Sequence, residues 1–334
     1  MSIKEQFEHD KQTSTLAQKN TVLNRKYREA LRRNTQLEKE LDAIQQSEGR
    51  FYTFKIKPDR TLGGEATAFI VASDWHIDER VKRGQVSGMN CFNPRVAKER
   101  VNKFAQHSLT LLKISQRDVT IKNVVLALLG DFISGSIHEE GMENNTMLPM
   151  EAMITAQSWI AGVIDCLLEN TDCNFVIPCS MGNHSRITKK IRHASEEGNS
   201  LEFFMYRNLE ERYQNNERIK FVISGGYHTY LTVYNLTIRL HHGTAIRYLG
   251  GIGGLSVPLL RAIAQWNRGR KADLDVLGHH HSFRDYGSAI VNGSLVGYNA
   301  YALAIKAEFE PPKQSFFLID RDRGKTIVAP ILVD

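Results

Sequence analysis

Residues 66–76 read ATAFIVASDWH, a run of apolar and small residues that ends in an acid, a spacer and a histidine. The run is typical of a buried β-strand, and a polar loop follows it over residues 77–80. In an extended chain, residues i and i+2 share a face, so Asp74 and His76 lie on one side of the strand's end. This pair has the spacing of two metal ligands, and a metal site needs partners for it from other strands.

Four later apolar runs end in the same residue types. They are residues 124–131 (VVLALLGD), 174–184 (NFVIPCSMGNH), 236–243 (LTIRLHHG) and 274–281 (LDVLGHHH). Several of these ends carry a glycine, which lets the backbone turn tightly. Functional groups of an open α/β sheet collect outside the carboxyl ends of its strands. Carboxylate, amide and imidazole groups are ligands for manganese, iron or zinc rather than for an all-oxygen magnesium or calcium cage.

The hydrophobic periodicity places these motifs in a layered α/β domain. Strands are predicted at 51–57, 67–73, 123–129, 174–180, 229–241, 274–277, 288–291, 315–320 and 326–332. Helices are predicted at 94–116, 148–169, 198–215 and 255–268. Helices alternate with strands in the first half and strands dominate the second, so the later strands are expected to pair antiparallel.

The ordered set Asp-x-His, Gly-Asp, Gly-Asn-His, His-Gly and Gly-His-x-His resembles the motifs of the calcineurin-like metallophosphoesterase superfamily, over about residues 67–285. The resemblance implies a four-layer α/β/β/α sandwich with two divalent metals at the strand ends. The ligands that it implies are Asp74, His76, Asp131 and His281 for one metal and Asp131, Asn183, His242 and His279 for the other. Asp131 would bridge the metals. Manganese is expected, with iron, zinc and magnesium as alternatives.

The resemblance also implies a chemical step. A water between the two metals would attack the phosphorus atom, in line with the leaving oxygen. His184 would not be a ligand; it would protonate the leaving oxygen or stabilise the transition state. The family often has an acid directly after Gly-Asn-His, whereas this chain has Ser185.

Composition is that of an ordinary globular protein, with 334 residues, 42% hydrophobic residues and a net charge of +6. No run reaches the roughly 18–20 apolar residues of a membrane helix, and the polar N-terminus lacks a signal-peptide core. The four cysteines have no paired Cys-x-x-Cys spacing, which favours reduced thiols. We therefore expect a cytoplasmic protein without a membrane partner. The mild positive charge favours an anionic partner without naming it.

The N-terminal segment has a different pattern. The two apolar positions of its heptads hold Leu16, Leu23, Ala30, Leu37 and Ile44 and, three residues before the last four of these, Asn20, Tyr27, Asn34 and Leu41. This 3,4 alternation predicts a coiled coil that forms a homodimer through residues 16–44, in which the two asparagines set the register. A single helix packed on its own domain is the alternative. The predicted domains are residues 1–50, an oligomerisation helix, and residues 51–334, the metallophosphoesterase domain.

Basic segments adjoin three of the metal motifs, at residues 80–83, 186–193 and 268–271. They suit a polyanion that extends past the scissile phosphate, although solvated loops are an alternative. The candidate substrate contacts are Arg186, Lys189, Lys190 and Arg192. We therefore predict a nucleic-acid substrate and an exonuclease-like DNA nuclease, similar to the nuclease subunits of double-strand-break repair complexes.

Two other functions stay open on the sequence. One is a phosphomonoesterase or small phosphodiesterase that acts on nucleotides or phosphoprotein, which needs a closed pocket instead of a basic groove. The other is a non-catalytic, metal-stabilised scaffold that acts through its coiled coil, which would have no need of His184.

Overall fold

The computed structural model describes residues 24–30, 32–33, 35, 54–57, 64–247 and 254–334. The chain divides into two units, Met1–Tyr52 and Thr53–Asp334. In the first unit, the described residues are helical and exposed, and residues 24–30 are named α1. The rest of the predicted heptad region 16–44 lies outside the described residues, so the coiled coil and the homodimer stay predictions.

The second unit contains twelve strands and six helices among the described residues. The strands are β1 (Phe54–Ile56), β2 (Glu65–Ala72), β3 (Thr120–Leu128), β4 (Asn174–Cys179), β5 (Ile219–Ile223), β6 (Thr229–Val233), β7 (Leu236–His241), β8 (Leu274–Leu277), β9 (Arg284–Asp285), β10 (Ala289–Val291), β11 (Lys313–Asp320) and β12 (Gly324–Leu332). The helices are α2 (Pro94–Ser115), α3 (Glu139–Asn144), α4 (Pro149–Glu169), α5 (Leu201–Arg212), α6 (Ser256–Trp266) and α7 (Ala300–Ala304).

The strands form two six-stranded sheets, in the orders β12-β11-β2-β3-β4-β5 and β1-β6-β7-β8-β10-β9. In the first sheet β2, β3, β4 and β5 are parallel, and β11 and β12 add antiparallel strands at one edge. In the second sheet β6 and β7 are antiparallel, whereas β7, β8 and β10 are parallel. The carboxyl ends of β2, β3 and β4 therefore lie along one edge of their sheet, and those of β7 and β8 along one edge of theirs.

Three apolar cores separate four layers. Because side chains alternate along a strand, Ile70 of β2 packs against α2, α4 and α5, whereas Phe69 and Val71 pack against the second sheet. On the far face of the second sheet, Leu259 and Ile263 of α6 cover β8 and β10. The order of layers is helices, sheet, sheet, helix. This confirms the predicted four-layer α/β/β/α sandwich.

A buried ion pair joins two strands of the second sheet. Arg239 of β7 lies opposite Asp275 of β8, with Nε 2.7 Å from Oδ1 and Nη2 3.0 Å from Oδ2. Both side chains are buried. A slip of one residue between these strands would leave both charges unpaired inside the protein, so the pair disfavours any other register.

Helix α4 has the length and the apolar composition that a membrane span would need, and it is the one helix of the described chain that has both. Its Ala156, Ile160 and Ile164 are buried in the core beneath the first sheet. The helix also packs between α2 and α5. Packing inside the domain therefore accounts for its apolar face.

Several element boundaries differ from the sequence prediction. The single strand predicted at 229–241 is wrong, because Tyr234 turns the chain at φ +53° and separates β6 from β7. Strand β5 was not predicted, because its five residues include Lys220 and give no run long enough to stand out. The predicted helix 198–215 is shorter, and it starts at Leu201 after a 3-10 turn at Glu197–Asn199.

Candidate metal centre

The sequence motifs meet where the two sheets present their strand ends. The predicted site residues are Asp74 and His76 after β2, Asp131 after β3, Asn183 and His184 after β4, His242 after β7, and His279 and His281 after β8. Asp74, Asp131, Asn183 and His242 are buried. All eight side chains therefore come from five strand ends, as neighbouring parallel strands allow.

The backbone at this edge is unusual. Five predicted ligands have left-handed φ angles: Asp74 (55°), His76 (46°), Asp131 (54°), His279 (69°) and His281 (51°). Asp and His tolerate this region better than most residues, yet it costs roughly 1–2 kcal/mol per residue. Strained backbone of this kind clusters at functional sites, where the surrounding structure imposes it.

Backbone hydrogen bonds and two glycines impose these conformations. Asp74 N donates to Gly130 O at 2.9 Å, and His76 N donates to Asp131 O at 3.2 Å. A side chain on Gly182 would overlap the Asp131 carboxylate, and a side chain on Gly278 would overlap that of Asp74. Glycine is therefore required beside both carboxylates because the loops approach them so closely.

Asp74, His76 and His281 form one group, whose ligand atoms all lie within 4.8 Å of one another. His281 Nε2 lies 3.2 Å from His76 Nε2 and 3.3 Å from Asp74 Oδ1. Burial, together with the neighbouring His184 and His281, lowers the pKa of His76 well below its usual value. The His76 ring is therefore neutral, which is the form that binds a metal.

His242 is the centre of the second group. Its Nδ1 donates to Leu129 O at 2.7 Å, which leaves Nε2 facing the site. Nε2 lies 2.8 Å from Asp131 Oδ2 and 3.2 Å from both Asn183 Oδ1 and His279 Nδ1. Burial and the adjacent His242 lower the pKa of His279 well below its usual value.

Asp131 connects the two groups. One set of ligand atoms within 4.8 Å joins it to His242 and His279, and another joins it to His76 and His184. Burial alone would raise the pKa of Asp131, but His242 and His184 bring it well below its usual value. An ionised carboxylate between two sets of nitrogen ligands is suited to bridging two cations.

The donor set fits divalent cations. Around His242, imidazole nitrogens, a carboxylate and an amide oxygen face one another. Their lone pairs repel, so this arrangement is stabilised by a positive charge between them. Burial would lower the pKa of His242, yet the Asp131 carboxylate raises it to about 10. The site thus attracts a proton in the place where nitrogen and oxygen ligands would hold a metal ion.

His184 is held by a backbone carbonyl. Its Nδ1 donates to Ser134 O at 2.9 Å, and its backbone N donates to Asp131 Oδ1 at 2.8 Å. The buried Asp78 accepts hydrogen bonds from Ser134 N at 2.6 Å and Gly135 N at 3.2 Å, so it holds the loop that orients the ring. The ring of His138, in the same loop, lies 5.6 Å from that of His184.

Glu202 of α5 is a buried residue of the site region that the sequence motifs do not include. Its Oε1 accepts a hydrogen bond from Phe132 N at 2.9 Å, and its Oε2 accepts from Gly182 N at 2.7 Å and Ser185 Oγ at 3.1 Å. Burial and Asp131 raise the pKa of Glu202 to about 7, whereas the backbone donors favour its ionised form. It therefore ties the loop after β3 to the loop after β4.

A sequence signal for Glu202 exists in the helix pattern. Met205, Tyr206 and Leu209 are buried and follow Glu202 at spacings of three, four and seven residues. These spacings place the acid on the apolar stripe of the helix. An acid on such a stripe is buried with partners, because an unpaired buried carboxylate costs too much free energy.

The candidate substrate residues differ in their surroundings. Arg186 is partly buried, and its guanidinium donates to Asn183 O and, at 3.2 Å, to Thr188 O. It therefore supports the backbone that carries Asn183. Lys189, Lys190 and Arg192 are exposed.

Trp75 and His241 are adjacent in sequence to predicted ligands, but their side chains point away from the metal centre. Trp75 is buried and packs edge-on against Phe104 and Phe132, so it supports the strand end from behind. His241 lies on the far face of its sheet, where its ring centroid is 5.0 Å from that of Trp266. The alternation along β7 thus separates His241 from His242.

Comparisons with known proteins reach similar folds only at low identity. No protein-family model and no curated protein matches this chain. A dimetal phosphatase from Danio rerio is 9% identical with a TM-score of 0.35, and the match covers 80% of this chain and 99% of that one. Vps29 from Chaetomium thermophilum is 13% identical with a TM-score of 0.32, over 79% of this chain and 97% of that one. A hypothetical protein from Pyrococcus horikoshii OT3 is 10% identical with a TM-score of 0.37, over 80% of this chain and 89% of that one.

Proposed function

We propose that this chain is a calcineurin-like phosphoesterase that uses two divalent metals, manganese above others, to hydrolyse phosphodiester bonds as a DNA nuclease. The observation that supports the proposal is the convergence of the predicted ligands from five strand ends, with five of these residues in strained backbone. A fold does not require such strain for its own stability. A reacting site that must hold its ligands in one geometry does require it.

The ligands would divide between the two ions around Asp131. His76, Asp74 and His281 surround one position, and His242, Asn183 and His279 surround the other. Two divalent cations, when bound, neutralise charge on a phosphate and lower the pKa of the attacking water. The buried Asp74, Asp131 and His242 keep their orientation without rearranging, because backbone donors and acceptors already hold them.

His184 is the residue that we assign to the leaving oxygen. Its Nδ1–H is committed to Ser134 O, so the atom that can reach a substrate is Nε2. Protonation of a leaving oxygen therefore requires the doubly protonated ring, which donates from Nε2 and keeps the hydrogen bond to the carbonyl. Asp131 Oδ1 holds the backbone of the same residue and fixes the ring beside the metal positions.

Nucleic acid is favoured as the substrate by charge. The exposed Lys189, Lys190 and Arg192 lie within ten residues of Asn183 and His184 along the chain. A nucleic acid extends past its scissile phosphate in both directions, and such cations would neutralise the flanking phosphates. A small monoester has no flanking phosphates for these cations to bind.

The test is a substrate panel with purified, metal-loaded protein. The panel contains bis(para-nitrophenyl) phosphate, para-nitrophenyl phosphate, single-stranded DNA and double-stranded DNA, each with manganese and with chelator. We expect manganese-dependent hydrolysis of the diester and of DNA. Preference for the monoester with intact DNA would replace the nuclease with a phosphomonoesterase. Bound metal without hydrolysis of any substrate would favour the metal-stabilised scaffold.

A further inference from the structure

A cavity of about 400 Å³ lies between α6 and residues 245–247, which follow β7. Its apolar walls include Ile246, Val257, Pro258 and Ala262, and its charged residues are Arg247 and Arg261. The lining residues include no acid. A volume of this size is in the range of small-molecule sites in proteins, roughly 300–1,000 Å³.

The topology places the cavity at the same edge as the metal centre. β7 and β8 are parallel neighbours, and α6 connects them. A helix in such a crossover runs back along the sheet, so its first turns lie at the carboxyl ends of the strands. Val257 and Pro258 belong to the first turn of α6, which is therefore the end of the helix nearer to the edge that carries His242 and His279.

Chain continuity limits the separation between the two sites. Thr244 Oγ1 donates to Asn183 Oδ1 at 3.2 Å, and the next residue, Ala245, lines the cavity. Successive Cα atoms are about 3.8 Å apart, so Ala245 lies at most about 11 Å from His242. One wall of the cavity therefore lies within about 11 Å of a predicted metal ligand, a separation that an extended substrate strand spans.

The chemistry of the walls selects the ligand. Arg247 and Arg261 are exposed, and neither forms an ion pair within the part of the chain that the structure describes. A guanidinium group binds a phosphate through two parallel hydrogen bonds, and apolar walls suit the face of a nucleobase. Two unpaired arginines above apolar walls thus match a nucleotide better than they match an uncharged ligand or a cation.

On this basis, and resting on the proposed nuclease function, we propose that the cavity binds the nucleotide next to the scissile phosphate. Arg247 and Arg261 hold the phosphate of this nucleotide, and Ile246, Val257 and Pro258 contact its base. The basic segment after His184 would then bind a different part of the same strand. The cavity thus makes the enzyme select extended nucleic acid over small esters.

The test uses the full chain and measures binding without catalysis. Fluorescence polarisation of a short fluorescein-labelled single-stranded oligonucleotide, in chelator and over a series of salt concentrations, gives the affinity and its salt dependence. Arg247→Gln and Arg261→Gln should each weaken binding about three- to tenfold, as the loss of a largely exposed charge-assisted contact does. Each should also reduce the slope of log affinity against log salt by about 0.7.

Arg117→Gln is the matched control, because Arg117 is exposed before the amino end of β3, at the opposite end of the strand from the metal ligands, and does not line the cavity. It should change affinity and slope less than either cavity variant. Equal losses in all three variants, or normal binding by both cavity variants, would overturn the proposal. Hydrolysis of bis(para-nitrophenyl) phosphate, measured in parallel, should be unchanged in all of them. If the wild-type protein hydrolyses no ester, the nuclease function fails, while the polarisation data still decide whether the cavity binds nucleotide.

Discussion

Replacing Glu202 by glutamine tests whether this buried carboxylate positions the catalytic loops. Two backbone donors, Phe132 N and Gly182 N, depend on its two oxygens. Glutamine keeps one acceptor oxygen and puts an NH₂ group in place of the other, so at least one buried N–H loses its partner. An unpaired buried donor costs about 1–3 kcal/mol, and we expect the free energy of unfolding to fall by that amount.

The effect on catalysis should be larger than the effect on stability. The loops that Glu202 joins carry Asp131 on one side and Asn183 and His184 on the other. A displacement of about 1 Å at reacting groups can cost 10²-fold in rate. We therefore expect Glu202→Gln to reduce kcat for bis(para-nitrophenyl) phosphate by about 10- to 100-fold, with a much smaller change in KM, because the variant keeps the metal ligands themselves.

The assay combines urea unfolding with steady-state kinetics at a pH above 7, where the carboxylate of Glu202 is ionised. Glu210→Gln is the control, since Glu210 lies on the same helix in an exposed ion pair with Arg207, with side chains 39% and 50% exposed. Exposed pairs contribute little, so the control should resemble the wild type. A Glu202→Gln variant with normal kcat and normal stability would refute the positioning role. Loss of stability alone, with normal kcat, would leave Glu202 a purely structural residue.

Three further outcomes follow from the site and the N-terminal segment. Asp131→Asn should reduce the content of both metals together, measured by plasma mass spectrometry, because one carboxylate serves both groups; unchanged metal content would exclude the bridge. His184→Ala should keep its metals and lose turnover by about 10²–10⁴-fold, the usual contribution of a general acid, whereas near-normal rates would remove His184 from the mechanism. Deletion of residues 1–48 should halve the mass seen by light scattering while hydrolysis of the small diester survives, and an unchanged mass would contradict the coiled-coil dimer.

The convergence of the site residues was predictable because parallel strands impose it. Each strand interior must be apolar, since both of its faces are covered, and the first polar residues after it lie at a shared edge. The sequence shows this as an apolar run followed by Asp74, Asp131 or Asn183. The fold class was predictable for the same reason, because strand and helix periods alternate along the chain.

The residues behind the ligands could not be found in the same way. Glu202 lies on a helix that is distant in sequence from both loops it joins, and nothing in its neighbours names Phe132 or Gly182 as partners. Arg186 is a predicted substrate contact because of its charge, which the sequence shows, whereas its hydrogen bond to Asn183 O depends on how the loop folds back. Supporting interactions are set by tertiary geometry, which local patterns do not encode.

The strained backbone at the strand ends is stabilised by many hydrogen bonds from the surrounding loops. Five left-handed residues cost on the order of 5–10 kcal/mol together, which is comparable to the whole stability of a typical domain. The backbone hydrogen bonds that Asp74 N and His76 N donate offset part of this strain energy. Glu202 and Asp78 hold the adjoining loops by accepting hydrogen bonds from four backbone N–H groups. Bound cations would offset the rest, since they relieve the repulsion between the lone pairs that the strained backbone brings together. A chain without a metal to hold would gain stability by relaxing these residues, and their persistence in five separate ligands therefore supports metal binding more strongly than any one motif does.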